Sequence, residues 1–293
     1  MRVLITGAKG QVGSELLRQS PAVFETTGMG SADLDISNAD EVARMLERLR
    51  PELIINAAAY TAVDKAESDS DRAYAVNQEA VLYLAQAAEK AEIPIFHLST
   101  DYVFPGTSRG PYSESDSPAP KSVYGASKLA GERVLAEHCS RHMILRTSWV
   151  FGASGNNFVK TMLRLGRERD ELSVVADQRG GPTSARSIAE ALWRLARHYA
   201  ENASLPWGIY HFSGAPACSW NEFAVEVFAQ ATQEGLLTAP PRVAPITTEQ
   251  YPTTAKRPAN SELDCSKIKL ALGISQPDWR VELRSVLKEL KTD

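Results

Sequence analysis

The sequence predicts an α/β fold built on a doubly wound parallel sheet, with a second, smaller α/β domain. Short apolar segments such as Val3-Leu4-Ile5 and Leu53-Ile54-Ile55 are typical of strands buried on both faces of a parallel sheet. Segments with helical spacing separate these strands, and regular alternation of strand and helix gives a right-handed doubly wound sheet. After about Ser148 the alternation weakens, which indicates where the second domain begins.

Composition narrows the class of protein. The 293 residues suit one large domain or two smaller ones, and 43% hydrophobic with 23% charged residues is typical of globular proteins. A net charge of −4 argues against a nucleic-acid partner. We expect no membrane partner, because no apolar run approaches the roughly 18 residues that a span needs. Cys139, Cys218 and Cys265 fit neither a disulfide framework nor a zinc site and predict buried thiols in the cytoplasm.

In the first half, strands and helices are expected in strict alternation. The predicted strands are 3–6, 23–27, 53–55, 94–98 and 143–147, and the predicted helices are 14–18, 39–49, 71–91 and 123–139. Ser122 has the hydroxyl expected of an N-cap for the last of these helices. In the second half we expect helices at 158–169, 187–199, 220–233 and 280–290, and strand-like segments at 174–175 and 209–212. Several prolines between 240 and 258 predict loops there.

A glycine-rich stretch links the first strand to the first helix. Gly7, Gly10 and Gly13 are placed where glycines allow a tight turn, close approach of a pyrophosphate and close helix–strand packing. The helix N-terminus adds backbone N–H groups and a positive dipole end. The stretch predicts a Rossmann-like dinucleotide-binding domain at residues 1–147, with roughly 186–213 returning to it. Roughly 148–185 and 214–293 are left for a smaller substrate-binding domain. The alternative is a glycine-rich turn that binds nothing.

The second strand leaves the choice of nicotinamide cofactor open. An acidic residue near its end would hold the ribose 2′-OH of NADH, whereas an arginine would accept the 2′-phosphate of NADPH. Residues 26–31 contain neither, so NADPH and NADH both stay candidates. Asp35-Ile36 follows and could meet the adenine edge. Alternatively, Asp35 or Ser37 caps the helix that begins near Ala39.

Two further strands end in residues suited to a ligand. Asn56-Ala57-Ala58-Ala59 follows the third strand, and its alanines would let a cofactor lie against the backbone. Ser99-Thr100-Asp101-Tyr102 follows the fourth strand with hydroxyl and carboxylate groups. Open α/β sheets bind ligands at the carboxyl ends of their strands, so we expect both segments to line one site. The alternative is that the polar groups of the second segment only cap the exit loop. The five histidines show no metal-ligand spacing, and we interpret them as structural or surface groups.

Tyr124 and Lys128 lie four residues apart on a predicted helix and therefore share one face. A phenol beside an ammonium is a usable proton donor for making an alcohol from a ketone. Bringing the phenol pKa from about 10 to near neutrality takes roughly 4 kcal/mol. One positive charge about 4 Å away supplies roughly that much at an effective dielectric near 20. By itself the spacing is close to chance, and the alternative is an ordinary exposed helix turn.

These motifs, taken together and in order, resemble the extended short-chain dehydrogenase/reductases. They are Gly7-x-x-Gly10-x-x-Gly13, Asn56-Ala57-Ala58, Ser99-Thr100-Asp101 and Tyr124-x-x-x-Lys128. Longer segments narrow the resemblance to the dTDP-4-dehydrorhamnose reductase family. Those segments are residues 56–67, 99–104, 146–150, 155–158, 177–178 and 257–258.

The resemblance implies an oxidoreductase that uses NADPH or NADH to reduce the C4 ketone of a dTDP-sugar, dTDP-4-dehydro-β-L-rhamnose. Its product would be dTDP-L-rhamnose, in the last step of dTDP-rhamnose biosynthesis. The resemblance gives Tyr124 the role of proton donor. It also implies that Lys128 lowers the phenol pKa and holds the nicotinamide ribose, and that Thr100 supplies a hydroxyl to the catalytic set.

The resemblance also implies two sets of binding residues. The cofactor set is Gly7, Gly10, Gln11, Val12, Gly13, Asp35, Ile36, Ala57, Ala58, Ala59, Tyr60, Thr61, Leu98, Tyr124 and Lys128. The substrate set is Thr100, Asp101, Tyr102, Trp149, Asn157 and Arg257. For Arg257 we favour a diphosphate contact, because a guanidinium binds phosphate through two hydrogen bonds; the alternative is a surface ion pair.

Some members of the family dimerise through Mg²⁺ held by acidic residues. Glu15 stands at one such position and is the one candidate ligand that we name. Arg186 stands near the place where a second acid is expected, and a guanidinium cannot ligate a cation. We therefore expect no Mg²⁺-bridged dimer, and a monomer or a weak homodimer instead.

Two other functions stay open on the same scaffold, because a fold does not fix a function. One is a related nucleotide-sugar 4-ketoreductase or epimerase that yields a different 6-deoxyhexose. The other is a non-catalytic regulatory subunit, which can keep the tyrosine–lysine pair. Asp101, Trp149 and Arg257 favour the enzyme.

Overall fold

The computed structural model describes residues 1–292. Its strands are, in chain order, β1 Arg2–Thr6, β2 Glu25–Met29, β3 Leu53–Asn56, β4 Ile95–Thr100, β5 His142–Thr147, β6 Val150–Phe151, β7 Glu171–Val175, β8 Arg179–Gly180, β9 Thr183–Ser184, β10 Gly208–His211, β11 Cys218–Ser219 and β12 Arg242–Ile246. Its α-helices are α1 Gln11–Arg18, α2 Ala39–Leu49, α3 Val63–Ala66, α4 Ser70–Tyr74, α5 Ala80–Lys90, α6 Val123–His138, α7 Phe158–Glu168, α8 Ala185–Asn202, α9 Trp220–Gln233, α10 Ser266–Leu272 and α11 Trp279–Thr292.

Six strands form a parallel sheet in the order β10-β5-β4-β3-β1-β2. This order confirms the doubly wound parallel sheet. The chain leaves β1 toward β2 and then returns to add β3 on the other side of β1. A crevice opens at such a reversal, above the carboxyl ends of the two central strands. The segments that follow β1 and β3 must therefore meet there.

Apolar clusters cover both faces of the sheet. One face packs on α1 and α8, with Leu16 and Trp193 in the cluster, and the other packs on α2 and α5, with Val42 and Leu84. A third cluster is built from α7, α9 and α11 with β6 and β7, and Phe223 lies in it fully buried. Much of the chain after β5 thus has apolar packing of its own, whereas α8 and β10 return to the large sheet.

Several local predictions needed correction. The helix expected over 71–91 is interrupted by a π-helical turn, Ala75–Glu79, between α4 and α5. Asn38, rather than Asp35 or Ser37, caps α2 by accepting hydrogen bonds from the N–H groups of its first turn. The proline-rich stretch expected to be loop contains β12, which pairs with β7 despite Pro245. The strand is tolerated because it is half of a two-stranded sheet, where an edge position does not need every N–H group.

Two other local predictions, the N-cap of α6 and the buried thiols, are confirmed. Ser122 caps α6, with Oγ accepting from the N–H of Gly125 at 3.1 Å. Cys139, Cys218 and Cys265 are buried and free. Among residues 1–292, no helix is long and apolar enough to cross a membrane.

Candidate active site

The glycine turn lies directly on the loop that follows β3. Gly7 adopts the left-handed conformation, with φ +69°, and a Cβ there would lie 2.5 Å from Ala58 N and 2.6 Å from Ala57 C. A Cβ on Gly13 would collide with Gly7 O. Helix α1 begins at Gln11 without a side-chain cap, so no side chain occupies its first N–H groups. A cradle without side chains at a helix N-terminus fits a dinucleotide pyrophosphate.

The loop after β3 is held by a residue that the sequence interpretation did not include. Asn77, in the π-helical turn, accepts from Tyr60 N at 2.8 Å and donates to Tyr60 O at 3.0 Å. Its amide also donates to Ser127 Oγ at 3.0 Å. The loop is thereby joined to α6, and π-helical turns are frequent at functional sites. Ala59 is half-buried beside Tyr60, and Thr61 is exposed.

The end of β2 carries the predicted adenine-side residues and one unexpected cation. Asp35 is exposed, and hydrogen bonds from the Ser37 hydroxyl and N–H lower the pKa of its carboxyl. Ile36 is buried in the apolar cluster under α2. The side chain of Lys9 crosses Gly30 and pairs with Asp33 at 3.8 Å. The structure therefore brings a lysine, rather than an arginine on β2 itself, to this end of the crevice.

Tyr124 and Lys128 are both buried on α6, with 9% and 2% of their surface exposed. Lys128 Nζ donates to Leu98 O at 2.7 Å and lies 3.2 Å from His97 Nε2. Burial lowers the pKa of Lys128 to about 8. The lysine is therefore anchored to β4, one helix turn from the phenol.

The expected lowering of the Tyr124 pKa is not found. Burial raises the pKa of Tyr124 above its usual value, while a hydrogen bond with Thr100 opposes the rise. The physical reason is desolvation, which penalises a buried phenolate. Burial also lowers the pKa of the lysine, and its ammonium donates to Leu98 O on β4 rather than to the phenol. The phenol is consequently protonated at neutral pH, which is the state that a proton donor needs.

Polar groups at the carboxyl end of β4 surround the phenol. Thr100 Oγ1 donates to Asp101 Oδ1 at 2.9 Å and accepts from Tyr102 N at 3.2 Å. Burial raises the pKa of Asp101 to about 7. Its Oδ2 is buried without a hydrogen-bond partner in the described part of the chain. The Tyr102 ring stands edge-on to Tyr124, with 5.5 Å between centroids.

Trp149 and Asn157 have structural partners in addition to their predicted roles. Trp149 has a positive φ of 48° and stacks on Trp220 with 3.5 Å between ring centroids. Asn157 caps α7 through Oδ1, and its amide donates to Gln11 Oε1 at 3.0 Å. That bond joins the start of α7 to the glycine turn.

Arg257 reaches from a loop of the second half to the crevice. Its Nη2 lies 2.6 Å from Asp64 Oδ2, and its Nη1 donates to the Tyr102 hydroxyl at 3.0 Å. The side chain is about one quarter exposed. The guanidinium thus forms an ion pair, as the alternative interpretation expected, and its contact with a diphosphate stays a prediction.

Glu15, the predicted magnesium candidate, lies buried on α1. Its carboxylate accepts from Arg18 at 2.5 Å and from Gln19 at 2.9 Å. Gln19 also donates to the backbone oxygen of Arg186. Residues 1–292 contain no cluster of three or more histidine, cysteine or acidic side chains that could hold a metal ion.

Four side chains at the site escaped prediction: Lys9, Asp64, Asn77 and His97. Lys9 lies inside the glycine motif and His97 precedes Ser99-Thr100 by two residues, so proximity to those motifs was an available signal. Asp64 lies in the short helix α3, which comes directly after the loop that begins with Asn56-Ala57-Ala58. Asn77 gave no local signal, because the π-helical turn that directs it inward does not follow helical spacing.

The sheet and the site together define a class of protein. A parallel sheet with a glycine turn at its point of reversal, and a buried tyrosine–lysine pair beside it, is the arrangement of a short-chain dehydrogenase/reductase. Residues 1–292 match the family described as RmlD substrate binding domain, and the chain belongs to that family. The resemblance drawn from the motifs is confirmed.

Relatives agree over the full length. The chain is 48% identical over 287 residues to the dTDP-4-dehydrorhamnose reductase of Aggregatibacter actinomycetemcomitans, covering 97% of this chain and 98% of that protein. The solved structure of a dTDP-4-dehydrorhamnose reductase from Clostridium acetobutylicum matches with a TM-score of 0.92 and 38% identity, covering 99% and 100%. That of the Bacillus anthracis enzyme, in complex with NADP, matches with a TM-score of 0.91 and 38% identity, covering 98% and 99%.

Proposed function

We propose that this protein reduces the C4 ketone of dTDP-4-dehydro-β-L-rhamnose to dTDP-L-rhamnose, with NADPH or NADH as reductant. The observation that carries the proposal is the buried group of Thr100, Tyr124 and Lys128, which lies at the carboxyl end of β4 beside the glycine turn. Relatives that match nearly the whole chain bear the name of this enzyme. The second half of the chain would add three substrate-binding side chains, Trp149, Asn157 and Arg257, to those at the end of β4.

A nicotinamide dinucleotide bound along the crevice would supply the hydride. The residues that would hold its pyrophosphate are the glycine turn and the first turn of α1, where a Cβ would fill the cradle. Ala57 and Ala58 form the opposite wall. Lys128 adjoins this wall through Leu98 and would hold the nicotinamide ribose.

Tyr124 delivers the proton to the oxygen at C4. Burial keeps the phenol protonated at neutral pH, so the proton is available when negative charge develops on that oxygen. Thr100 helps to hold the same oxygen, because its hydroxyl lies near the phenol and is oriented by Asp101 and Tyr102. A positioned proton donor of this kind contributes roughly 10²–10⁴-fold to a rate.

The sugar nucleotide would lie between β4 and the second half. Asp101 Oδ2 is buried and lacks a partner within residues 1–292, so a sugar hydroxyl that donates to it would remove the cost of that burial. Trp149 and Asn157 border the site, and Arg257 offers a guanidinium suited to a diphosphate.

The test is oxidation of NADPH and of NADH with freshly made dTDP-4-dehydro-β-L-rhamnose, followed by the loss of nicotinamide absorbance. The matched control is Tyr124→Phe, folded and able to bind cofactor. NMR of the product distinguishes dTDP-L-rhamnose from the C4 epimer that a related ketoreductase would give. Absence of turnover by folded, cofactor-bound protein would instead support a non-catalytic subunit.

A further inference from the structure

His97 lies at the centre of the sheet, between the loop after β3 and helix α6. It is fully buried on β4 and faces Asn56, its register partner on β3. Asn56 Nδ2 lies 2.9 Å from His97 Nδ1, and Lys128 Nζ lies 3.2 Å from His97 Nε2. The imidazole is therefore the middle member of a buried chain that ends at the lysine.

The orientation of the Asn56 amide fixes which nitrogen of His97 carries a proton. Asn56 Oδ1 receives the N–H of Ala58 at 3.1 Å and the hydroxyl of Thr6 at 2.6 Å. A backbone N–H can only donate, so the atom that it contacts is the oxygen. The NH₂ group must then face His97, and His97 Nδ1 must accept.

A neutral imidazole has one donor and one acceptor nitrogen. Burial holds the pKa of His97 well below its usual value, and Lys128 lowers it further whenever the lysine is charged, so the ring is neutral. Because Nδ1 accepts from Asn56, the proton is on Nε2, and the Nε2–H points at Lys128. An ammonium has no lone pair with which to accept a hydrogen bond. The contact is a hydrogen bond only when Lys128 is the uncharged amine.

We propose that His97 is a positioning residue for Lys128: its Nε2–H donates to the lysine amine, holds it beside Leu98 O and favours its uncharged state in the free protein. Cofactor binding that requires the ammonium would then take up a proton. The catalytic meaning of this step rests on the proposed function, whereas the tautomer of His97 does not depend on it.

Other charged groups also lie around the lysine. Glu132, one turn further along α6, favours the ammonium. Its charge is largely matched by Arg146 of β5, which binds both carboxylate oxygens at 2.9 and 2.6 Å. Tyr124, one turn earlier, is neutral. The histidine thus opposes Glu132 from the strand side, and the pKa of Lys128 lies at about 8.

The direct test is ¹⁵N NMR of histidine-labelled, cofactor-free protein, with the His97 signals assigned by their loss in His97→Gln. The expected spectrum has an unprotonated Nδ1 and a protonated Nε2 from neutral to mildly alkaline pH. The reverse tautomer would make Nε2 an acceptor for the ammonium and would overturn the proposal, whether or not the protein is an active reductase.

A second test follows Lys128 itself in ¹³C-lysine-labelled protein, assigned by its loss in Lys128→Met. In His97→Gln the amide can turn its oxygen to the ammonium, so the titration of Lys128 should move up by about one pH unit, a tenfold change in proton affinity. Asn56→Asp should move the titration of Lys128 the same way, because the carboxylate requires a proton on His97 Nδ1.

The matched control is His211→Gln. This buried histidine contacts Arg146 and Tyr112, and its replacement should leave the titration of Lys128 unmoved. An unmoved Lys128 in both folded His97 and Asn56 variants would refute the proposal.

Discussion

Arg257 and Asp64 form an ion pair that ties the second half of the chain to the loop region after β3, with 2.6 Å between Nη2 and Oδ2. The same carboxylate accepts from the N–H of Ala255 at 3.0 Å. The other guanidinium nitrogen donates to the Tyr102 hydroxyl, and Tyr102 stands against Tyr124. One aromatic ring therefore separates the guanidinium from the proposed proton donor.

Arg257→Ala should raise the KM for the nucleotide sugar by roughly tenfold to a hundredfold, since a hydrogen bond to a charged group contributes about 1.5–3 kcal/mol. The kcat should change less, because the proposed contact of the guanidinium is with the diphosphate rather than with the reacting carbon. Steady-state kinetics with varied nucleotide sugar at saturating cofactor measure both values.

Asp64→Asn is the matched control for Arg257. It removes the ion pair but leaves the guanidinium, so the KM should change by less than about threefold if the pair only anchors an exposed loop. A rise in KM as large as that of Arg257→Ala would show instead that Asp64 positions the arginine for its ligand.

Tyr124→Phe should lower kcat by roughly 10²–10⁴-fold, because it removes the group that donates a proton in the transition state. The cofactor Kd, measured by quenching of protein fluorescence, should stay within about twofold of the wild-type value. Thermal unfolding verifies that the buried ring still packs against Tyr102. A kcat within tenfold of wild type would assign the proton to another group.

Much of the sheet was predictable because its strands are buried on both faces. Continuous apolar runs such as Leu53-Ile54-Ile55 can be recognised as buried strands without knowledge of the strands beside them. Glycines at a strand–helix junction predict the turn in the same way. Tyr124 and Lys128 were found for the same reason, since helical spacing is local. The prediction fails where geometry departs from regular spacing, as in the π-helical turn at Ala75–Glu79.

The electrostatic properties of the site were harder to predict from the sequence. A lowered phenol pKa follows from an assumed distance to Lys128 and an assumed dielectric, but the burial of both side chains depends on what covers them in the folded protein. In the structure, desolvation acts on the phenol and on the lysine in opposite directions. His97 and Asp64 were missed because their partners lie on other elements, which only the folded chain brings together.

Asp101 should make folding stability depend on pH. Burial raises its pKa to about 7 in the folded protein, against about 3.9 for an unfolded chain. A carboxyl group whose pKa is higher in the folded protein than in the unfolded chain stabilises the fold while it is protonated. This stabilisation is complete below the unfolded pKa and is lost as the pH rises from about 4 to about 7. Relative to Asp101→Asn, wild type should therefore lose roughly 3 kcal/mol of unfolding free energy between pH 5 and pH 8.

Urea unfolding of both proteins at the two pH values measures this difference. The comparison with Asp101→Asn cancels the contributions of His97, His211 and Lys128, which titrate in both. A difference that does not change with pH would mean that Asp101 is ionised throughout and that its Oδ2 has a partner such as water.

Lys9 should set the preference between the two nicotinamide cofactors. Its side chain crosses Gly30 at the end of β2 and pairs with Asp33, where the ribose 2′ position of a dinucleotide is expected. Lys9→Ala should raise the Kd of NADPH by about fivefold, the value of one exposed charge pair, and leave that of NADH within about twofold. Low ionic strength enlarges the effect, because exposed charges are screened by salt.

Asp33→Asn is the control for Lys9→Ala. It removes the acid that disfavours a phosphate and should shift the cofactor preference toward NADPH. Equal losses for both cofactors in Lys9→Ala would mean that the lysine supports the turn and does not recognise the 2′ group.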